Sequence, residues 1–184
     1  PVDLNCLLLR VEEGLARAHE LVASLEKSST AKLPRKETGA QIYHDAAAAR
    51  RKAIDEVLWN DADKCYNDYR LDKGRLSKVV ALSNWAAPLW AGLHGPQDTA
   101  AAMVESLERS GLLQSGGAAS TAVDTKGLTQ WDAPNAWPPL QHMLIEGLER
   151  AGSIALAKDL AERWLCSCHM SWERSGFMYE KYNA

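Results

Sequence analysis

From Asp3 to Glu26 apolar residues recur as Leu4, Leu7, Leu8, Val11, Leu15, Ala18, Leu21, Val22 and Leu25. This i, i+3, i+4 spacing belongs to an amphipathic helix, and Asp3 is placed to cap its start. A polar, proline-containing stretch, KSSTAKLPRKETG, follows. A second helix is predicted from about Ala40 to Leu58, with Ile42, Ala46, Ala49, Ala53, Ile54, Val57 and Leu58 on one side. Two long helices joined by a modest loop make an antiparallel hairpin.

The pattern then breaks. WNDADKCYNDYRLDKGRLSK alternates turn formers with Cys65, Tyr66 and Tyr69 and reads as a small irregular hairpin or loop. Third and fourth helices are expected at about Asn84–Leu93 and Gln97–Arg109, with Gly95-Pro96 as punctuation. Ser110 to Ala136 is rich in glycine and hydroxyl residues and has no helical period; a segment this long is either mobile or lines a site. Leu140, Met143, Leu144, Gly147 and Leu148 mark a fifth helix. Ile154, Leu156, Ala157, Leu160, Ala161, Trp164 and Leu165 mark a sixth, beyond a break at Ala151-Gly152-Ser153. The chain is thus all-α, a series of helical hairpins that must cover one another's apolar faces. No fixed-period repeat is visible, which favours a closed helical toroid over a regular repeat array.

Composition narrows the partners. The 184 residues are 46% hydrophobic and 24% charged, an ordinary globular balance compatible with one domain, 1–184. A net charge of −3 gives no pull toward phosphate backbones, so nucleic acid is not an expected partner. No apolar run reaches the ~20 residues of a membrane helix, and PVDLNCLLLR lacks the basic start of a signal peptide. Because Pro1 is not a methionine, the chain is expected to be processed or to begin partway through a longer protein. Compartment stays open: four scattered cysteines, Cys6, Cys65, Cys166 and Cys168, form no disulfide framework, and no N-x-S/T sequon is present.

One stretch concentrates chemistry. QWDAPNAWPPLQ, residues 130–141, sets Trp131 and Trp137 beside Gln130, Asp132 and Asn135 and stiffens them with Pro134, Pro138 and Pro139. Flat aromatic faces suit the C–H surface of a sugar, and carboxylate and amide groups pair with its hydroxyls. The same residues also suit a helix entrance, with Asn135 as N-cap and Pro138 and Pro139 in the first turn. Residue types leave both readings open, and the two are compatible. Cys166, Cys168 and His169 lack the paired spacing of a zinc site, so no metal is expected. The isolated histidines have no nucleophile pattern beside them.

QWDAPNAWPPLQ resembles the most distinctive signature of the trehalases, inverting glycoside hydrolases that split trehalose into two glucoses. PVDLN at 1–5, LWND at 58–61, NDY at 67–69, SNWAAPLWAG at 83–92, LLQSGG at 112–117, STAV at 120–123 and MYEKYN at 178–183 resemble trehalase text in the same order. The resemblance covers essentially the whole chain. It implies an (α/α)6 toroid of which this chain supplies about half the ring, and a trehalose pocket at one end with Gln130, Trp131, Asp132, Asn135 and Trp137 among its walls. It implies no metal or organic cofactor. Ala136 and Pro138 depart from the common glycine and alanine.

Inverting hydrolysis needs one carboxylic acid and one carboxylate ~6.5–9.5 Å apart. In trehalases the acid lies just upstream of PVDLN and the base just downstream of EKYN, so the resemblance implies that both lie outside this chain. Neither Asp132 nor Glu180 is promoted in their place. The expected partners are trehalose and the rest of the parent polypeptide, which would cover the open helical face. The alternative is a naturally truncated, non-catalytic sugar-binding or interaction module.

Overall fold

The computed structural model describes residues 1–28, 39–97, 99–124 and 129–184. The loop expected between the first two helices and part of the glycine-rich segment lie outside them. Six helices follow in chain order: α1 (Val2–Ser28), α2 (Gly39–Leu58), α3 (Ser83–Trp90), α4 (Ala100–Arg109), α5 (Pro138–Arg150) and α6 (Ile154–Ser175). They form three antiparallel pairs, α1 with α2, α3 with α4 and α5 with α6. The first members also pack in a row, α1 on α3 and α3 on α5. The sixth helix runs a further ten residues past the expected apolar stretch and stops at Gly176, whose left-handed backbone (φ 73°) lets its amide reach the Trp172 carbonyl at 2.7 Å.

Eight two-residue strands lie among the helices. β1 (Trp59–Asn60) pairs with β2 (Cys65–Tyr66), and β3 (Tyr69–Arg70) with β4 (Arg75–Leu76); these two tight hairpins are the irregular stretch after α2. β5 (Leu113–Gln114) pairs with β6 (Gly117–Ala118), and β7 (Asn135–Ala136) with the terminal β8 (Tyr182–Asn183), all antiparallel. Because successive helices alternate in direction, the strands gather at one end of the helical rows, where α1, α3 and α5 start and α2, α4 and α6 finish.

Burial explains the row. α3 buries Asn84, Trp85, Ala86, Ala87, Pro88 and Leu89, because it is flanked on both sides by its neighbours. Gly147 lets α5 approach it: a Cβ there would sit 2.7 Å from Leu89 Cβ and 2.8 Å from the Trp90 amide nitrogen. Arg51 on α2 donates to the Gly92 carbonyl at 2.9 Å and to Glu13 at 2.9 Å, tying the turn that follows α3 to the first hairpin. The buried thiols of Cys6 and Cys65 are each pushed up to about 12, chiefly by loss of solvation.

Two expected caps are corrected. Asp3 lies inside the first turn of α1 and accepts from the neighbouring Leu4 amide, while the Val2 amide is taken by Asp68, at 2.7 Å from 66 residues away. Asn135 does not cap α5; Trp137 holds that position with extended backbone and no side-chain cap bond. Pro138 and Pro139 fill the first two helical positions, as expected. Lacking N–H groups, they remove two of the donors a cap would have served.

Candidate functional site

The 130–137 segment leads into α5 and is built as a knot. The Asn135 amide donates to the Asp132 carbonyl at 3.0 Å, and the Asn135 side chain donates to the same oxygen at 2.9 Å. Asn135 is buried, and its own carbonyl accepts from Ser120 twice, from the amide at 2.9 Å and from Oγ at 3.0 Å. A buried asparagine with both ends engaged specifies one loop conformation. The Ala133–Pro134 bond is cis.

The tryptophans come together. Their ring centroids are 4.1 Å apart and the planes only 12° from parallel. Trp137 is 6% exposed, and its Nε1 donates to the Gln130 carbonyl at 3.1 Å. Trp131 is 54% exposed. One indole is therefore a fixed backing, and the other rests one face on it and turns the other face outward. Gln130 is exposed beside them.

Asp132 is half-buried, and its carboxylate is held within the loop cluster. Oδ1 accepts from Thr121 Oγ1 at 3.0 Å, and Oδ2 accepts from Thr129 Oγ1. Each oxygen retains a second acceptor position. Of the five sequence-predicted residues, the structure thus brings Gln130, Trp131 and Trp137 into one aromatic unit. It makes Asp132 and Asn135 parts of the support beneath them.

The support extends to residues the sequence reading did not single out. Ser120 and Thr121 belong to a segment that also pairs with the approach to α3: Leu82 donates to the Ser120 carbonyl at 2.8 Å and Ala122 to the Val80 carbonyl at 2.9 Å. Gln141, in the first turns of α5 and 2% exposed, exchanges two hydrogen bonds with the backbone of Ala118, at 2.8 and 2.7 Å. Gly117 makes room for it, with φ 138° and no Cβ to meet the Gln141 Oε1 at 2.9 Å. On the other edge β8 pairs with β7, the Ala184 amide reaches the Pro134 carbonyl at 2.9 Å, and Tyr182 packs edge-on against Trp164. The available signal for these partners was that LLQSGG, STAV, QWDAPNAWPPLQ and MYEKYN resemble family text.

A cleft of about 410 Å³ adjoins the loop, with Asn135 on one wall and Arg174, Tyr179, Lys181 and Tyr182 on others. A larger one of about 850 Å³ lies at the same end, between the β1–β2 hairpin, the start of α3 and the end of α4. Among the described residues no group of three His, Cys, Asp or Glu side chains is placed to hold a metal ion. His169 pairs with Glu173 at 3.3 Å and stacks on Trp172.

This arrangement is similar to known proteins over its full length. The trehalase family model matches residues 1–184. A probable trehalase of Oryza sativa subsp. japonica is 35% identical across the whole chain, which spans 34% of that protein. A periplasmic trehalase of Salmonella agona is 34% identical, again across the whole chain, which spans 29% of that protein. The chain therefore spans about a third of the length of these curated relatives. The solved neutral trehalase of Saccharomyces cerevisiae superposes on all of the chain with a TM-score of 0.76 at 24% identity, and the chain covers 34% of it. A mannosylglycerate hydrolase of Thermus thermophilus, solved with glucose, superposes on 97% of the chain with a TM-score of 0.69 at 21% identity; 41% of it is covered. The paired helices are thus part of an (α/α)6 toroid. Matched from Pro1 to Ala184 in sequence and carrying the fold of a solved trehalase, the chain belongs to the trehalase family.

Proposed function

We propose that this chain forms one wall of the sugar pocket of an enzyme that hydrolyses α,α-trehalose, with inversion, to two glucose molecules. In this reading residues 1–184 are part of a single catalytic domain. The general acid and general base come from outside the chain, and no metal or organic cofactor is required. Gln130, Trp131, Asp132, Asn135 and Trp137 are the substrate-binding set. Trp131 stacks on a glucose ring and Gln130 hydrogen-bonds to its hydroxyls. Asp132 offers its remaining lone pairs to sugar hydroxyls, while Asn135 and Trp137 hold the geometry of the set.

The observation that carries the reading is the asymmetry of the stacked pair, one indole buried and tethered, the other open on its outer face. A pre-ordered aromatic surface loses little entropy when a sugar arrives. Trp131→Ala in the full-length polypeptide is expected to raise KM for trehalose about 5- to 10-fold, the equivalent of about 1–1.5 kcal/mol of stacking. An unchanged KM would refute the assignment.

A second part of the proposal concerns the partner. Leu4, Leu8, Val11 and Leu15 fall on one stripe of α1 and are 50, 39, 55 and 38% exposed. The rest of the parent polypeptide is the occupant of that stripe, closing the ring. Accordingly the purified 184-residue chain is expected to release no glucose from trehalose above a buffer control; release above it would overturn this part.

A further inference from the structure

We propose that Thr121 is a positioning residue for the sugar platform, acting through the carboxylate of Asp132 to fix the direction in which Trp131 faces. The inference rests on the reading of Trp131 as the stacking surface and names a residue outside the QWDAPNAWPP segment on which that surface depends.

The connectivity carries it. Thr121 forms a bridge with Ala81, and the residues on either side of it are bonded to the approach to α3 through Leu82 and Val80, so its backbone belongs to the scaffold. Its Oγ1 lies 3.0 Å from Asp132 Oδ1, and also accepts from the Val123 amide at 3.2 Å. The hydroxyl has one proton to donate, and the Val123 carbonyl, at 3.4 Å, is the longer and uncharged alternative. The carboxylate is the stronger acceptor. The other Asp132 oxygen is held by Thr129, three residues away within the same loop.

Thr121 thus links the Asp132 carboxylate to the helical scaffold. Trp131 is the residue next to Asp132 in the chain. A rotation of the Asp132 backbone would slide its indole off Trp137, and a stacked pair with centroids 4.1 Å apart has little room for sliding. Ser120 performs the companion task on Asn135 through two bonds to one carbonyl, one of them from its backbone. Of these two, the Thr121 contribution rests on a side chain alone, so substitution removes it, together with the acceptor of the Val123 amide.

The test is a kinetic comparison in the full-length polypeptide. Thr121→Val keeps the shape and removes the hydroxyl; KM for trehalose is expected to rise about 3- to 10-fold with kcat within about 2-fold, the pattern of lost uniform binding. Thr121→Ser keeps the hydroxyl and is expected to restore KM to within about 2-fold of the parent. A residue that merely supports the fold would lower the fraction of active enzyme, and hence apparent kcat, without moving KM. If Thr121→Val fails to fold, Thr121→Ala serves with the same expectation. Trp131→Ala is measured alongside. A raised KM for Trp131→Ala with an unchanged KM for the Thr121 variants overturns this inference and leaves the platform standing. An unchanged KM in both removes the platform and this inference with it. Equal defects in Thr121→Val and Thr121→Ser also overturn it, because the hydroxyl would then not be the acting group.

Discussion

α1 and α3 lie side by side in the same row, yet they are buried in opposite ways. α3 has a helix against each flank, and six of its eight residues are buried. α1 has α2 and α3 against one side of it, and the other side exposes Leu4, Leu8, Val11 and Leu15. α3 is also the more apolar of the two, with no charged residue among its eight, so the difference lies both in its composition and in how many neighbours the chain supplies. A helix position in a ring acquires its environment from both sides, and α1 is completed on one side only within these 184 residues.

The largest expected break of this contrast is at the α3–α5 contact. Gly147→Val would drive a branched side chain into Leu89 and the Trp90 backbone, and is expected to cost about 3 kcal/mol or more, read as a loss of thermal stability. Adjacent leucines then separate the two sides of α1. Leu9, fully buried, is expected to cost about 2–5 kcal/mol when changed to alanine. Leu8→Ala, at a site 39% exposed, is expected to stay within about 0.5 kcal/mol in this chain. In the full-length polypeptide, on the proposed ring closure, the Leu8 cost rises above about 1 kcal/mol.

Asp68→Ala removes the acceptor for the first amide of α1 and is expected to cost about 1 kcal/mol in chemical denaturation. Gly14 sharpens the comparison with Gly147, because a Cβ there meets nothing within 4 Å. Gly14→Ala is therefore expected to stabilise by about 0.5–1 kcal/mol, through helix propensity, opposite in sign to any enlargement at Gly147.

Near neutral pH the smallest effect is that of the thiols. Burial holds the Cys6 and Cys65 thiols protonated to about pH 12, whereas an unfolded cysteine titrates at ~8.5. Below the ordinary thiol value both states keep these protons and stability is complete. Above it the unfolded chain loses protons that the folded chain retains, so stability is expected to fall as pH rises toward 12. In the native state at pH 8, alkylation is expected at the exposed Cys166 well before Cys6 or Cys65, measured by peptide mass.

The helices were legible where apolar residues recur with a helical period, whether or not this chain covers them: the stripe read on α1 is largely exposed, and its buried positions are Val2, Cys6, Leu9 and Ala16. α1, α2 and α5 show clear apolar periods, and their structural bounds fall close to the expected ones. The last ten residues of α6 were missed because Met170 and Trp172 are exposed and fall on no inward stripe. The hairpins after α2 read as irregular because each strand is two residues long, too short for an alternation to show. Within the candidate site, Trp131 and Trp137 stood out by residue type. Thr121 did not, since a threonine among small residues carries no pattern and its partner lies 11 residues away.

Local chemistry alone therefore determined the helical class, the pairing of helices into hairpins, and the concentration of aromatic and amide groups at residues 130–137. These follow from the 3.6-residue period and from side-chain type, which act over a few residues. Tertiary structure decided which amide each cap serves, which tryptophan is buried, and what holds the Asp132 carboxylate. The long-range contacts among these join residues far apart in the chain, as Asp68 is joined to Val2 over 66 positions and Thr121 to Asp132 over 11. A hydrogen bond across such a separation depends on where the packed helices bring the backbone, and no short window of sequence contains both ends of it.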